Sequence, residues 1–196
     1  EAGLGIPREA MRLVGDPQQP RLITIKSGKD HTEALESMTT DRLRSLNGLD
    51  LSGYVFKRDS PSCGVDRVRI YDQYGMPSRN GVGLFAGAFV EKFPLVPVDE
   101  EGRLCDPLLR ENFIERVFCY HRYQQLLNGG VTRQALVRFH TIHKYLLMAH
   151  SPQLFLTPGP LVGRGSQYRP KDLAHRYGEL FMKALTVKAT IRKQVN

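Results

Sequence analysis

Ser60, Ser62 and Cys63 put two hydroxyls and a thiol within four residues of the chain. They lie in the stretch Lys57-Arg58-Asp59-Ser60-Pro61-Ser62-Cys63-Gly64, directly after an apolar run at 53–56. A thiolate is a nucleophile and a soft metal ligand, and a hydroxyl can orient a substrate or relay a proton. Pro61 biases Ser60 towards an extended conformation, and Gly64 allows a turn where a side chain would clash. The loop is therefore expected to be stiff. The same residues would also serve as an ordinary turn around a buried Cys. Cys105 and Cys119 show no CxxC or CxxH spacing, so a metal centre using Cys63 needs ligands from elsewhere. The loop is not a GxSxG elbow, and no partnered His can be assigned to it, which argues against a hydrolase.

The elements that would position this loop follow α/β order. Strands are expected at 21–26, 53–57 and 65–71, with a short strand at 95–98. In the third, Arg67 and Arg69 alternate with Val68 and Ile70. Residues 9–14 are expected to form a short turn. A helix capped near Asp30 to Thr32 should run to Leu46, and a second should follow Asn80-Gly81-Val82-Gly83 and span 84–92. The glycines could cradle a phosphate, but no full GxGxxG or Walker pattern is present, and close packing explains them equally well. The fold class is thus α/β, a small, largely parallel sheet with flanking helices, followed by an all-helical basic domain. The expected boundaries are 1–105 for the α/β domain, 106–130 for a connecting helix started by Asp106-Pro107, and 131–196 for the helical domain.

Charge separates these regions. Residues 131–196 hold eleven Lys and Arg against two acids, while residues 1–130 are nearly balanced at 17 basic and 18 acidic side chains. A basic helical unit is the footprint of a polyanion such as nucleic acid, or else a solvated face meeting an acidic partner. In the helix expected from Thr132 to His150, Leu136, Phe139, Ile142 and Leu146 share one face, with His140, His143, Leu147 and His150 beside them. With no acid in that helix to support metal ligation, the histidines are expected to pack or to contact RNA. Residues 156–170 are Gly- and Pro-rich and are expected to form a loop. The helix from Pro170 carries Arg169, Arg176 and Lys183 at seven-residue intervals, opposite an apolar side that includes Leu173, Tyr177, Phe181 and Ile191. No run is long enough for a membrane span. Three sparse cysteines fit a reducing cytoplasm. The chain begins at Glu1 without Met and ends on an open helical pattern, as a piece of a longer protein would.

These motifs resemble a known pair of families. Glu1-Ala2-Gly3-Leu4-Gly5-Ile6-Pro7-Arg8, Ser60-Pro61-Ser62-Cys63-Gly64 and Gly81-Val82-Gly83 resemble the bacterial thiouracil desulfidases, once known only as a domain of unknown function. Phe139-His140, His143-Lys144-Tyr145 and the stretch from Leu147 to Pro152 resemble the YbgA-like domain often fused behind them. The resemblance implies a 4Fe–4S cluster held by three Cys with one iron open. Only Cys63 matches a ligand position, the other two belonging to a segment before Glu1. An open iron would bind the thiocarbonyl sulfur, water would attack the carbon, and sulfur would leave as hydrosulfide. By resemblance Glu1 takes the water's proton and Ser60 orients substrate or relays a proton, with Ser62 a lesser candidate. The basic domain extends the expected substrate from a thiolated nucleobase to thiouridine in tRNA, contacted by His140, His143, Lys144, Arg169, Arg176 and Lys183. Free-thiouracil detoxification and a non-catalytic RNA-binding protein are the competing readings.

Overall fold

The structure, a computed structural model, describes residues 9–163 and 167–189, and the chain divides into two compact units, residues 1–104 and 105–196.

The first unit is built on a four-stranded sheet: β1 (Met11–Val14), β2 (Arg21–Thr24), β4 (Val68–Tyr71) and β5 (Pro77–Gly81), in the order β2-β1-β4-β5. The β1–β2 and β4–β5 pairs are antiparallel and only β1–β4 is parallel. A separate parallel pair joins β3 (Tyr54–Phe56) to β6 (Val98–Glu100). The α/β class therefore stands, but the pairing is mixed rather than largely parallel. The reason is local. Gly15 adopts φ +92° in the turn between β1 and β2, and Gly75 adopts φ +79° between β4 and β5, so both pairs close as hairpins. The expected turn at 9–14 is partly strand β1, and Pro77–Gly81 forms a strand that the sequence reading did not include.

Helix α1 (Thr32–Leu46) covers the inner face of the sheet through Leu35, which packs with Leu13, Leu22, Val68 and Ile70. Helix α2 (Leu84–Lys92) is held to β3 by rings: Phe89 lies 4.5 Å from Tyr54 and 5.3 Å from Phe56, centroid to centroid. Tilted and edge-to-face rings such as these bury large apolar area with fixed geometry. The end of β3 and the start of α2, between which the Cys63 loop runs, are thereby held together.

The second unit is helical: α3 (Pro107–Asn128), α4 (Arg133–His150), short α5 (Pro152–Phe155) and α6 (Pro158–Gly163), and α7 (Pro170–Leu185). Asp106 caps α3 by accepting from the Leu108 and Leu109 N–H groups, and Thr132 caps α4 by accepting from Ala135 N–H. Helix α3 is not a connector. Its Tyr123 is buried and donates to the Ala174 carbonyl of α7 at 2.8 Å, where Gly178 leaves room for the ring. The expected loop at 156–170 contains α6, whose Val162 is buried. Ile191 lies outside the described residues.

Candidate active-site loop

Residues 57–64 leave β3 and are folded back on the N-terminus of α2. Ser60 Oγ accepts from the Cys63 N–H at 3.2 Å and weakly from the Ser62 N–H at 3.4 Å, and the Ser60 carbonyl accepts from Gly64 N–H at 2.9 Å. Ser60 is thus a turn-forming serine, whatever else it does. Ser62 Oγ lies 3.1 Å from Ser60 Oγ and 3.3 Å from Cys63 Sγ, so the three groups read from the sequence form one chain of contacts. Cys63 itself is half-buried.

The first N–H groups of a helix have no partner within it. In α2 the loop supplies them. The Pro61 carbonyl accepts from Leu84, and the Ser62 carbonyl accepts from Phe85 and Ala86 at 2.9 and 3.1 Å. Those groups are therefore spent, and the glycines do not form a phosphate cradle. Close packing is what they serve. A Cβ on Gly83 would stand 2.5 Å from the Ser62 carbonyl carbon, and one on Gly64 would overlap Val68.

Glu100 secures the exit of the loop. It is buried, and its Oε1 accepts from Val65 N–H at 2.8 Å and Asp66 N–H at 3.4 Å. Nothing in the sequence marks it, because Asp99-Glu100-Glu101 reads as a solvated acidic run. Replacing Glu100 with Ala leaves two loop N–H groups unpaired. We expect a loss of ~1–3 kcal/mol in urea unfolding, and a smaller loss for Glu100→Gln, which keeps an acceptor. Asp59 (φ 54°) within the loop and Arg67 (φ 55°) just beyond it occupy the left-handed region, a conformation that costs energy in residues other than Gly.

The other two cysteines lie away from this loop in the chain. Cys105 is exposed and Cys119 is buried, its thiol pushed up to about 11 chiefly by that burial and further by Glu115. Both lie in the second unit. Among the described residues no three His, Cys, Asp or Glu side chains gather to hold a metal. The described residues offer one suitable cysteine rather than three, so by themselves they do not fit a three-Cys cluster. Glu1 lies outside the described residues.

In the second unit the basic candidates separate. Arg169, Arg176 and Lys183 are exposed along α7, and the Arg176 guanidinium lies 4.8 Å over the Tyr168 ring. The Lys144 ammonium lies 4.9 Å over the Tyr145 ring. His140 is half-buried, its Nδ1 3.3 Å from the Tyr177 hydroxyl, and burial lowers its pKa. His143 must be corrected. It is 5% exposed, stacks on Phe139 and donates from Nδ1 to the Phe139 carbonyl, so it packs in the core and does not face RNA. The buried stripe of α4 is Leu136, Phe139, His143, Leu147 and His150, whereas Ile142 is 66% exposed.

Comparison with known families matches these units. Residues 144–196 match the family described as protein of unknown function DUF1722, the YbgA-like domain. No curated protein and no solved structure matches the chain. No helix among the described residues is long and apolar enough to cross a membrane. Residues 1–101, just over half of the chain, match the family described as 2-thiouracil desulfurase. That span contains the sheet, the Ser60–Cys63 contacts and the Glu100 carboxylate beneath them, so the chain belongs to the 2-thiouracil desulfurase family, enzymes that remove sulfur from thiouracil.

Proposed function

We propose that this protein desulfurates a thiolated uracil carried in tRNA, 4-thiouridine or 2-thiouridine, giving uridine and hydrosulfide. The observation that carries the reading is the Cys63 loop, clamped between β3 and α2 within a desulfurase-family unit. The RNA part is supported by the exposed Arg169, Arg176 and Lys183 in a region with eleven basic and two acidic side chains. A free base has no need of such a surface, whereas phosphate contacts supply much of the affinity for RNA. Cys63 is proposed as one thiolate ligand of a 4Fe–4S cluster, with the others outside the described residues. Ser60 holds the Cys63 N–H and so fixes the main chain that carries the thiol. A cytoplasmic location follows from the same reading.

The test is loss of thiocarbonyl absorbance, followed without oxygen, from thiouridine-containing tRNA and from free 2-thiouracil. We expect turnover of tRNA that falls steeply with added salt, and no turnover of either substrate by Cys63→Ala. Turnover of free 2-thiouracil alone would replace RNA with the free base as substrate. No turnover of either, at full cluster loading, would defeat the proposal.

A further inference from the structure

The Ser60 turn fixes the middle of the Cys63 loop, and β6 holds its two ends. Phe56, the last residue of β3, is the register partner of Glu100. The Glu101 N–H extends that ladder by donating to the Phe56 carbonyl at 3.0 Å. Two acidic side chains therefore arrive where the chain leaves β3. Glu100 is buried and holds the exit of the loop through the Val65 and Asp66 N–H groups. Glu101 is exposed and holds the entry, its Oε2 accepting from the Arg58 N–H at 2.7 Å.

The ion pairs at the entry are weaker than this bond. Asp59, in its left-handed conformation, lies 4.0 Å from Arg58 Nε and 3.7 Å from Arg79 of β5. These pairs are solvent-exposed, and such pairs contribute little. A carboxylate that accepts a main-chain N–H makes a shorter and stronger bond than a neutral acceptor. The Arg58 side chain also lies close over the residue after Glu101, since a Cβ on Gly102 would stand 3.0 Å from Arg58 Cδ. Movement at Arg58 is passed along the loop to Pro61 and Ser62, whose carbonyls accept from the first N–H groups of α2. Cys63 follows directly.

We propose that Glu101, paired with Glu100, is a positioning residue for desulfuration. The two carboxylates clamp the loop at both ends and keep the main chain of Cys63 seated on α2. Glu101 acts as an acceptor for the Arg58 N–H and takes no part in proton transfer. The inference rests on the desulfurase reading for the kinetic effect of the clamp, whereas the clamp itself is measured without turnover.

The experiment compares Glu101→Ala and Glu101→Gln with wild type, and uses Glu36→Ala, an exposed acid on α1, as control. Iodoacetamide labelling of the full chain, resolved by peptide mass spectrometry, reads the seating of Cys63, with exposed Cys105 as the internal reference. Glu101→Ala should speed Cys63 labelling about tenfold, the scale of one hydrogen bond to a charged group, and leave Cys105 unchanged. In the thiocarbonyl assay kcat should fall by about the same factor while KM stays constant, because the residue does not touch substrate. Glu101→Gln keeps an oxygen acceptor and should restore both readings, and Glu36→Ala should match wild type. The lost bond is exposed and water replaces it, so the unfolding midpoint of Glu101→Ala should stay close to wild type and misfolding cannot explain the loss. Unchanged labelling in Glu101→Ala, or faster labelling with unchanged kcat, overturns the proposal. So does a rise in KM alone, which would make Glu101 a substrate contact. Glu101→Gln as slow as Glu101→Ala, with labelling at the wild-type rate, would assign the carboxylate to acid–base chemistry instead. Faster labelling of Glu101→Ala in a chain whose wild type desulfurates neither tRNA nor free 2-thiouracil would uphold the clamp and sink the desulfurase reading.

Discussion

Gly83→Ala should destabilise the first unit by ~2–4 kcal/mol and abolish desulfuration. Gly83 has φ −63° and ψ 142°, which alanine adopts without strain, so the backbone is not the obstacle. The obstacle is space. The added methyl would stand 2.5 Å from the Ser62 carbonyl carbon, 2.6 Å from its oxygen and 2.7 Å from the Cys63 nitrogen. These are all main-chain atoms, so no rotamer change relieves the contact. The loop must lift from α2. Lifting weakens the Gly83 bond to the Gly64 carbonyl at 2.8 Å and the two helix N–H bonds to the Ser62 carbonyl. A few such bonds, at ~1 kcal/mol net each, together with the overpacking, give the stated range. Gly87→Ala, four residues further along the same helix, should do the opposite. Its added methyl meets only Val82 at 3.7 Å, an ordinary contact, and a mid-helix Gly→Ala change stabilises by ~0.5–1 kcal/mol. Urea unfolding by circular dichroism and the desulfuration assay together check the pair. Equal, small effects from the two substitutions would mean that the loop does not depend on its seat at α2.

That contrast also shows what the sequence could and could not reveal. Asp106-Pro107 and Thr132 announced their helices because capping is local, a side chain meeting N–H groups two or three residues on. The Cys63 loop was legible for a similar reason, since Ser60, Pro61 and Gly64 set its turn within five residues. Strands β1 and β5 were not. Pro77–Gly81 has no β-forming character of its own and is strand because β4 pairs with it. Missing those strands hid that Arg12, Arg69 and Arg79 stand on three adjacent strands, neighbours only through register. Glu100 was hidden by chemistry. A carboxylate buried by accepting two loop N–H groups looks, in sequence, like any surface acid. In α4 the helix was right and its orientation was not. The core tolerates His143 because its Nδ1 proton has the Phe139 carbonyl, so the buried stripe follows the histidines rather than Ile142.

The second unit should lose stability as pH rises above neutrality, and Glu115→Gln should remove that dependence. His150 is 1% exposed and is held at both nitrogens, with Nδ1 donating to the Val187 carbonyl and Nε2 to Glu115 Oε2, each at 2.6 Å. Both acceptors are served when the ring carries two protons, and the Glu115 contact favours that form. Burial alone would push its pKa down, but the Glu115 hydrogen bond, the Val187 carbonyl and the Glu115 charge together raise it above the ordinary 6.5. A raised folded-state pKa contributes stability that is complete below 6.5 and disappears as pH climbs through the folded value. His143 has the opposite sign. Burial lowers its pKa, so its contribution holds above 6.5 and is lost as pH falls through the lowered value. Stability of the helical unit should therefore peak near neutral to slightly acid pH. Glu115→Gln should flatten the alkaline limb and leave the acid limb, which belongs to His143 and His140, both with pKa values lowered by burial. Removing one partner of a buried ion pair costs ~3–5 kcal/mol, and because Glu115 is 35% exposed we expect ~2–3 kcal/mol for Glu115→Leu at pH 6. Thermal unfolding of both variants and wild type between pH 5 and pH 9 would decide it, these being the bounds around the ordinary His value. An unchanged alkaline limb in Glu115→Gln would show that His150 is neutral in the folded protein and that the link between α3 and α4 is not ionic.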